Sequence, residues 1–225
     1  MGGIKLNTRG QVRSSADGLT DGLYAAGECA CVSVHGANRL GSNSLLECVV
    51  YGKLTGAAIA EDLPARKALD IDEEKYIEEA KVRIQGLLDR QGGERIDAVR
   101  QDLQDCMSEH CSVFRTDEVM SEGLAKLQAI CERAGRVVLD DRSTVWNTEL
   151  IEAMEIESLV VVAQTILNSA LQRQESRGAH SREDFPDRDD PNFLKHTLAY
   201  YSPAGVEIRH MPVALGMFEP KERKY

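Results

Sequence analysis

The sequence has no excess of positive charge: 27 lysines and arginines stand against 37 aspartates and glutamates, a formal net charge of −10. A field of that sign repels nucleic acid phosphates and anionic lipid head groups, and no basic stripe with interleaved aromatics offsets it, so nucleic acid is excluded as a partner. No uninterrupted apolar run is long enough to cross a bilayer, and no charged-then-apolar leader follows Met1. The expectation is a chain that reaches a membrane only through partners. No Gly-x-Gly-x-x-Gly run occurs, which excludes the main dinucleotide cradle from these 225 residues. The six cysteines lack ligand spacing: Cys29 and Cys31 are one residue apart, and Cys48, Cys106, Cys111 and Cys131 form no second pair. A zinc or iron–sulfur site is therefore not expected, and unpatterned thiols in an acidic chain read as reducing-compartment material.

What is present is an ordinary globular composition, 42% hydrophobic, sufficient for one or two domains. Its most informative stretch is His35-Gly36-Ala37-Asn38-Arg39-Leu40-Gly41-Ser42-Asn43-Ser44-Leu45-Leu46-Glu47, preceded by Gly22-Leu23-Tyr24-Ala25-Ala26-Gly27-Glu28. The pattern reads as a strand, an anion-handling loop and a helix. Gly36 and Gly41 free the backbone, Asn38, Ser42, Asn43 and Ser44 are N-cap candidates, and helix onset is expected near Ser44. The start of that helix offers free N–H groups to negative charge. Arg39 carries a planar fork of donors able to take a carboxylate bidentately. The residues alone leave two readings open: a clamp for a carboxylate ligand, or an arginine paired with an internal acid.

Beyond the loop, Leu45, Leu46, Val49, Val50, Leu54, Ala57 and Ala58 recur at helical spacing, predicting burial of at least one face, with Gly52 and Gly56 allowing close packing. Pro64 marks a boundary. Further stripes run through Tyr76, Ile77, Ala80, Ile84 and Leu87, through Ile96, Val99, Leu103 and Met107, and through Val119, Leu124, Leu127 and Ile130. Gly92-Gly93 separates the first two, and Thr116 supplies an N-cap for the third. A long helix from Thr148 to Gln172, capped by Asn147, has an apolar density that predicts burial on more than one side. From Glu175 onward the chain turns to charged loop and short strands.

Leu23–Glu28, His35–Leu46, Glu175–Arg182 and Asp184–Asp190, with the closing Pro220–Tyr225, resemble the C-terminal part of succinate dehydrogenase and fumarate reductase flavoprotein subunits, nearest to succinate dehydrogenase. The resemblance implies an α+β fragment: residues 1–63 as the C-terminal edge of an FAD-binding α/β domain, 64–174 as a helical bundle domain, and 175–225 as a short C-terminal loop and strand region. It implies that Met1 is internal to a longer parent. The covalent histidyl flavin attachment, capping domain and proton-shuttling arginine would then lie upstream, and this piece alone would be inactive.

Residue by residue, the resemblance implies that Glu28 contacts FAD, that Ser44 and Leu45 place the helix start against the isoalloxazine, and that Arg39 clamps a carboxylate of succinate or fumarate. His35 would support that pocket. No catalytic or metal-ligating residue is assigned within the chain. His180 is expected to be structural, while His110, His196 and His210 receive no role. The Glu175–Asp190 arginines and aspartates are expected to form a structural network near the redox site. The implied partners are an iron–sulfur subunit and, through it, membrane anchor subunits, at the cytoplasmic face of the inner membrane. Two alternatives remain. L-aspartate oxidase shares the His-Gly-Ala-Asn-Arg loop and resembles Asn43–Cys48 equally well, although Phe185–Asp190 and Leu194–Thr197 favour succinate dehydrogenase. The other is a non-enzymatic helical interaction fragment.

Overall fold

The computed structural model describes residues 1–217 and 220, so Lys221–Tyr225 of the terminal motif lies outside the described residues. The N-terminal part is built from four short strands. β1 (Ile4–Lys5) pairs in parallel with β4 (Ala30–Cys31), and β2 (Gln11–Arg13) pairs antiparallel with β3 (Leu19–Tyr24). They enclose a small core of Leu6, Val12 and Ala30, with Ala25 and Val32 packed on it. Helix α1 (Asn43–Asp62) lies beside this unit, close to the expected onset.

The attachment of α1 differs from the expectation. Its buried residues are Glu47, Thr55 and Ala58, whereas Leu45 and Val49 are each 72% exposed, and Leu46, Val50 and Leu54 are exposed too. Nothing lies near Gly52 or Gly56. Polar ties hold the helix instead: Arg9 bridges Glu61 and Asp62, and Tyr24 hydrogen-bonds Asp62. The apolar periodicity is real, but apart from Ala58 no element among the described residues covers it.

The main core lies in a helical bundle of α2 (Glu73–Asp89), α3 (Ile96–His110), α4 (Asp117–Ala134) and α5 (Thr148–Gln172). Thr116 and Asn147 accept from the backbone N–H groups of Val119 and Leu150, which satisfies donors that a helix start leaves free. Val99, Leu103, Met120, Leu127, Ile130, Ile156, Ala163 and Leu167 interlock at the centre. Gly92 and Gly93 turn the chain at φ +70° and +155°, and β5 (Glu94–Arg95) then pairs in parallel with β7 (Val137–Val138). Two sequence expectations are corrected here. On α2, Leu87 is buried with Leu88, but Tyr76 and Ile77 are exposed. On α5, one stripe from Ala153 to Ala170 is buried, while Ile151, Leu159, Val162 and Ile166 stay exposed beyond the faces that α3, α4 and the C-terminal strands cover.

The C-terminal part is more ordered than charged loop and short strands. β6 (Phe114–Arg115) pairs in parallel with β8 (Ser181–Arg182), and a short helix α6 (Asp190–Phe193) follows. β9 (Lys195–Ser202) and β10 (Gly205–Pro212) then form an eight-residue antiparallel hairpin packed on α5. Its turn is closed by Gly205 at φ +119°. No described helix is long and apolar enough to cross a membrane.

Leu127→Ala, at the fully buried centre, should destabilise the protein by about 2–5 kcal/mol, whereas Val49→Ser on exposed α1 should stay within about 0.5 kcal/mol. Urea unfolding of both variants checks the contrast. Equal losses would mean that α1 is buried as deeply as the bundle.

Candidate functional site

The loop from β4 to α1 is shaped by backbone that few side chains tolerate. Ser33 sits at φ +82°, a left-handed conformation uncommon outside glycine. It is tied from both sides: Lys5 Nζ donates to Ser33 Oγ, and His196 Nε2 of β9 lies 3.4 Å from the same oxygen. Two residues on, the His35 Nε2–Glu47 Oε2 pair joins the loop to α1, and both side chains are nearly buried. Gly36 turns at φ +60°, and the Ala37 carbonyl accepts the Ala179 N–H at 3.0 Å.

Arg39 follows, with its guanidinium exposed and Nη1 3.4 Å from Glu28 Oε1. The internal-acid alternative is thus met in a weak form. A long contact between solvated groups contributes less than about 1 kcal/mol, so an incoming carboxylate can replace it. Ser42 enters α1 at φ +67° and makes no side-chain cap, and no acidic residue lies in the first turn. Within that turn the Asn43 N–H is taken by the Leu40 carbonyl and the Leu45 N–H by the Ser42 carbonyl, which leaves the Ser44 N–H, beside the exposed Leu45 side chain, for an acceptor from outside the helix. The structure brings Glu28 and Arg39 together and places Ser44 and Leu45 on the turn that follows.

Behind the loop lies the charged segment. The fully buried Glu175 carboxylate accepts from Arg177 at 2.8 and 2.9 Å, from Arg173 at 2.5 Å and from the Asp189 N–H at 2.9 Å. Burial pushes its pKa up, but these donors, led by Arg177, outweigh that and hold it below the usual carboxylate range. Arg182, also fully buried, forks onto Asp184 at 2.7 Å and donates to the Leu171 carbonyl at 3.0 Å, satisfying the end of α5. Asp184 in turn accepts the Asp117 N–H at the start of α4, and its carboxyl falls to about 2 through Arg182. His180 receives Arg115 on Nδ1 and lies 3.0 Å from the Arg173 carbonyl through Nε2. Burial lowers its pKa, and these contacts make it a structural residue. Among the described residues, no group of His, Cys, Asp and Glu could hold a metal ion.

Sequence reasoning missed Lys5, Ser33, Glu47 and His196. Glu47 reads as one charge on an apolar helix and His196 as one polar residue in a strand, and nothing local reveals their partners 12 and 163 residues away.

The fold and site together define a chain that joins the edge of a dinucleotide-type domain to a helical bundle, with an arginine-bearing loop at the seam. Residues 100–225 match the family model described as fumarate reductase flavoprotein C-term, and residues 1–45 match an FAD binding domain. The chain belongs to the fumarate reductase flavoprotein C-terminal family. It is 41% identical over 230 residues to the succinate dehydrogenase flavoprotein subunit of Coxiella burnetii, covering 99% of this chain and 39% of that protein. It is 38% identical to the fumarate reductase flavoprotein subunit of Haemophilus influenzae, covering 100% and 37%. Among solved structures, a chain of E. coli quinol fumarate reductase superposes with a TM-score of 0.87 at 36% identity, covering 98% of this chain and 37% of that one. The chain thus spans well under half the length of these relatives.

Two predictions follow from the packing around the loop. At Gly178, φ is +60° and an added Cβ would lie 2.5 Å from the Ala37 oxygen. Gly178→Ala should therefore accelerate amide exchange across residues 35–41, measured by hydrogen exchange; an unchanged pattern would show that the contact does not hold the loop. Burial, helped by Lys5 and Arg173, lowers the His196 pKa to about 4. Between that value and the ordinary pKa of about 6.5, the unfolded chain binds the extra proton, so this group makes stability rise with pH. His196→Gln should flatten the rise between pH 4 and 6.5 in unfolding experiments; an unaltered slope would place its origin elsewhere.

Proposed function

We propose that this chain is the C-terminal part of a flavoprotein subunit that interconverts succinate and fumarate and passes electrons to an iron–sulfur subunit. Its residues 1–63 would complete an FAD-binding domain, 64–174 would form the helical domain and 175–225 the C-terminal region. The observation that carries the reading is Arg39, an exposed guanidinium on a loop of small residues that leads into a helix with an uncapped first turn. The membership of the chain in the flavoprotein family supports it.

The residues present fit one wall of an FAD site. Glu28 offers an exposed carboxylate to a cofactor hydroxyl, and the first turn of α1 offers the Ser44 N–H to polar atoms of the ring, with the exposed Leu45 side chain beside it. Bound FAD supplies the two-electron chemistry. Arg39 takes one carboxylate of the substrate through two parallel hydrogen bonds and fixes the orientation of its central carbons. His35 supports the loop from beneath. The acidic chain attaches to the membrane peripherally, through the iron–sulfur subunit and anchor subunits at the cytoplasmic face of the inner membrane.

In the full-length subunit, Arg39→Lys should lower succinate turnover by about 100-fold while FAD stays bound, because a point charge does not reproduce the planar fork. Turnover assays beside flavin absorbance test this. Retained turnover at saturating succinate would remove Arg39 from the site.

A further inference from the structure

Helix α1 inverts the usual order of burial. Its leucines and valines face outward, while Glu47 is among its few buried side chains. Placing a carboxylate where it is only 8% exposed costs free energy unless a partner compensates, and the partner is His35, itself 11% exposed. A charged residue is thus spent on holding one histidine, and that histidine lies four residues before Arg39.

The remainder of the loop has few ties of its own. The Met1 amino group donates to Gly36 O at 2.7 Å, Asn43 N–H reaches Leu40 O at 3.3 Å, Leu45 N–H reaches Ser42 O at 3.2 Å, and Ala179 N–H reaches Ala37 O at 3.0 Å. The Arg39 guanidinium makes only the long contact to Glu28. Its position is therefore set by its backbone, and the side-chain anchor that joins that backbone to α1 is His35–Glu47. We infer that Glu47, acting through His35, is a positioning residue that holds the Arg39 loop on α1 in the geometry a dicarboxylate requires. The inference rests on the proposed role of Arg39. Glu47 touches neither substrate nor cofactor in it.

The test uses the full-length, FAD-loaded subunit in its complex and malonate, a dicarboxylate with no CH2–CH2 bond to oxidise. Malonate affinity is read by calorimetry and flavin content by absorbance. Glu47→Gln should weaken malonate about tenfold with flavin occupancy unchanged, and Glu47→Asp should restore most of the affinity. On an Arg39→Ala background, Glu47→Gln should add no further loss, since residues acting through one another are non-additive. Equal malonate affinity in Glu47→Gln and the parent, with Arg39→Ala still impaired, would overturn the positioning role alone. An Arg39→Ala protein that binds malonate as the parent does would overturn the assignment of Arg39 instead. If Glu47→Gln loses flavin and malonate together and Glu47→Asp does not rescue either, Glu47 serves the fold and the inference fails.

Discussion

The Glu175 carboxylate is sealed from solvent and receives four hydrogen bonds, three of them from two arginines and the fourth from the Asp189 backbone. An isolated carboxylate in that position would be untenable, so the segment from Arg173 to Asp190 must fold around it as one piece. Arg173 extends the arrangement by donating to the Phe193 and Lys195 carbonyls and to Thr197, which seats the start of the β9–β10 hairpin. Arg177 extends it to Asp190, where Arg188 also converges. Apolar residues of similar volume can match the stability of such a cluster, but they do not impose the same directions on the chain.

Those directions matter because the segment has two ends with different neighbours. One end, through Arg182 and Asp184, joins the last carbonyls of α5 to the first N–H groups of α4 and so belongs to the bundle. The other end, through Gly178 and Ala179, touches Ala37 in the loop that carries Arg39. The bundle thereby acquires a rigid arm onto the candidate site, although its hydrophobic core lies elsewhere. Ion pairs on open surface contribute little, and this network departs from that rule because its central members are buried.

The bundle was legible in the sequence because its signals are local. The Ile96–Met107 and Val119–Ile130 stripes, the Thr116 and Asn147 caps and the Gly92-Gly93 break all fall within a few residues of the structure they specify. Arg39, Glu28, Ser44 and Leu45 were legible as a loop and a helix start through the ordered motif they share with a known family. The outward faces of α1 and α5 were not, because periodicity shows that a face is apolar and does not show what covers it. Nor was the length of the β9–β10 hairpin: β9 has little alternation of burial, and the alternation in β10 is regular only over Gly205–Arg209. The Glu47, Ser33 and His196 ties escaped for another reason: each depends on a partner brought near only by the tertiary fold.

If buried Glu175 orders the charged segment and that segment in turn holds the Arg39 loop, one substitution should loosen both. Hydrogen exchange on the full-length subunit carrying Glu175→Gln measures this directly. The amides of residues 176–182 and of residues 35–41 should lose protection together, while those of Ile96–His110 in the bundle keep theirs. Loss confined to residues 176–182, with the Arg39 loop as protected as in the parent, would contradict the account and leave that loop held by α1 and its ties to the N-terminal strand and β9.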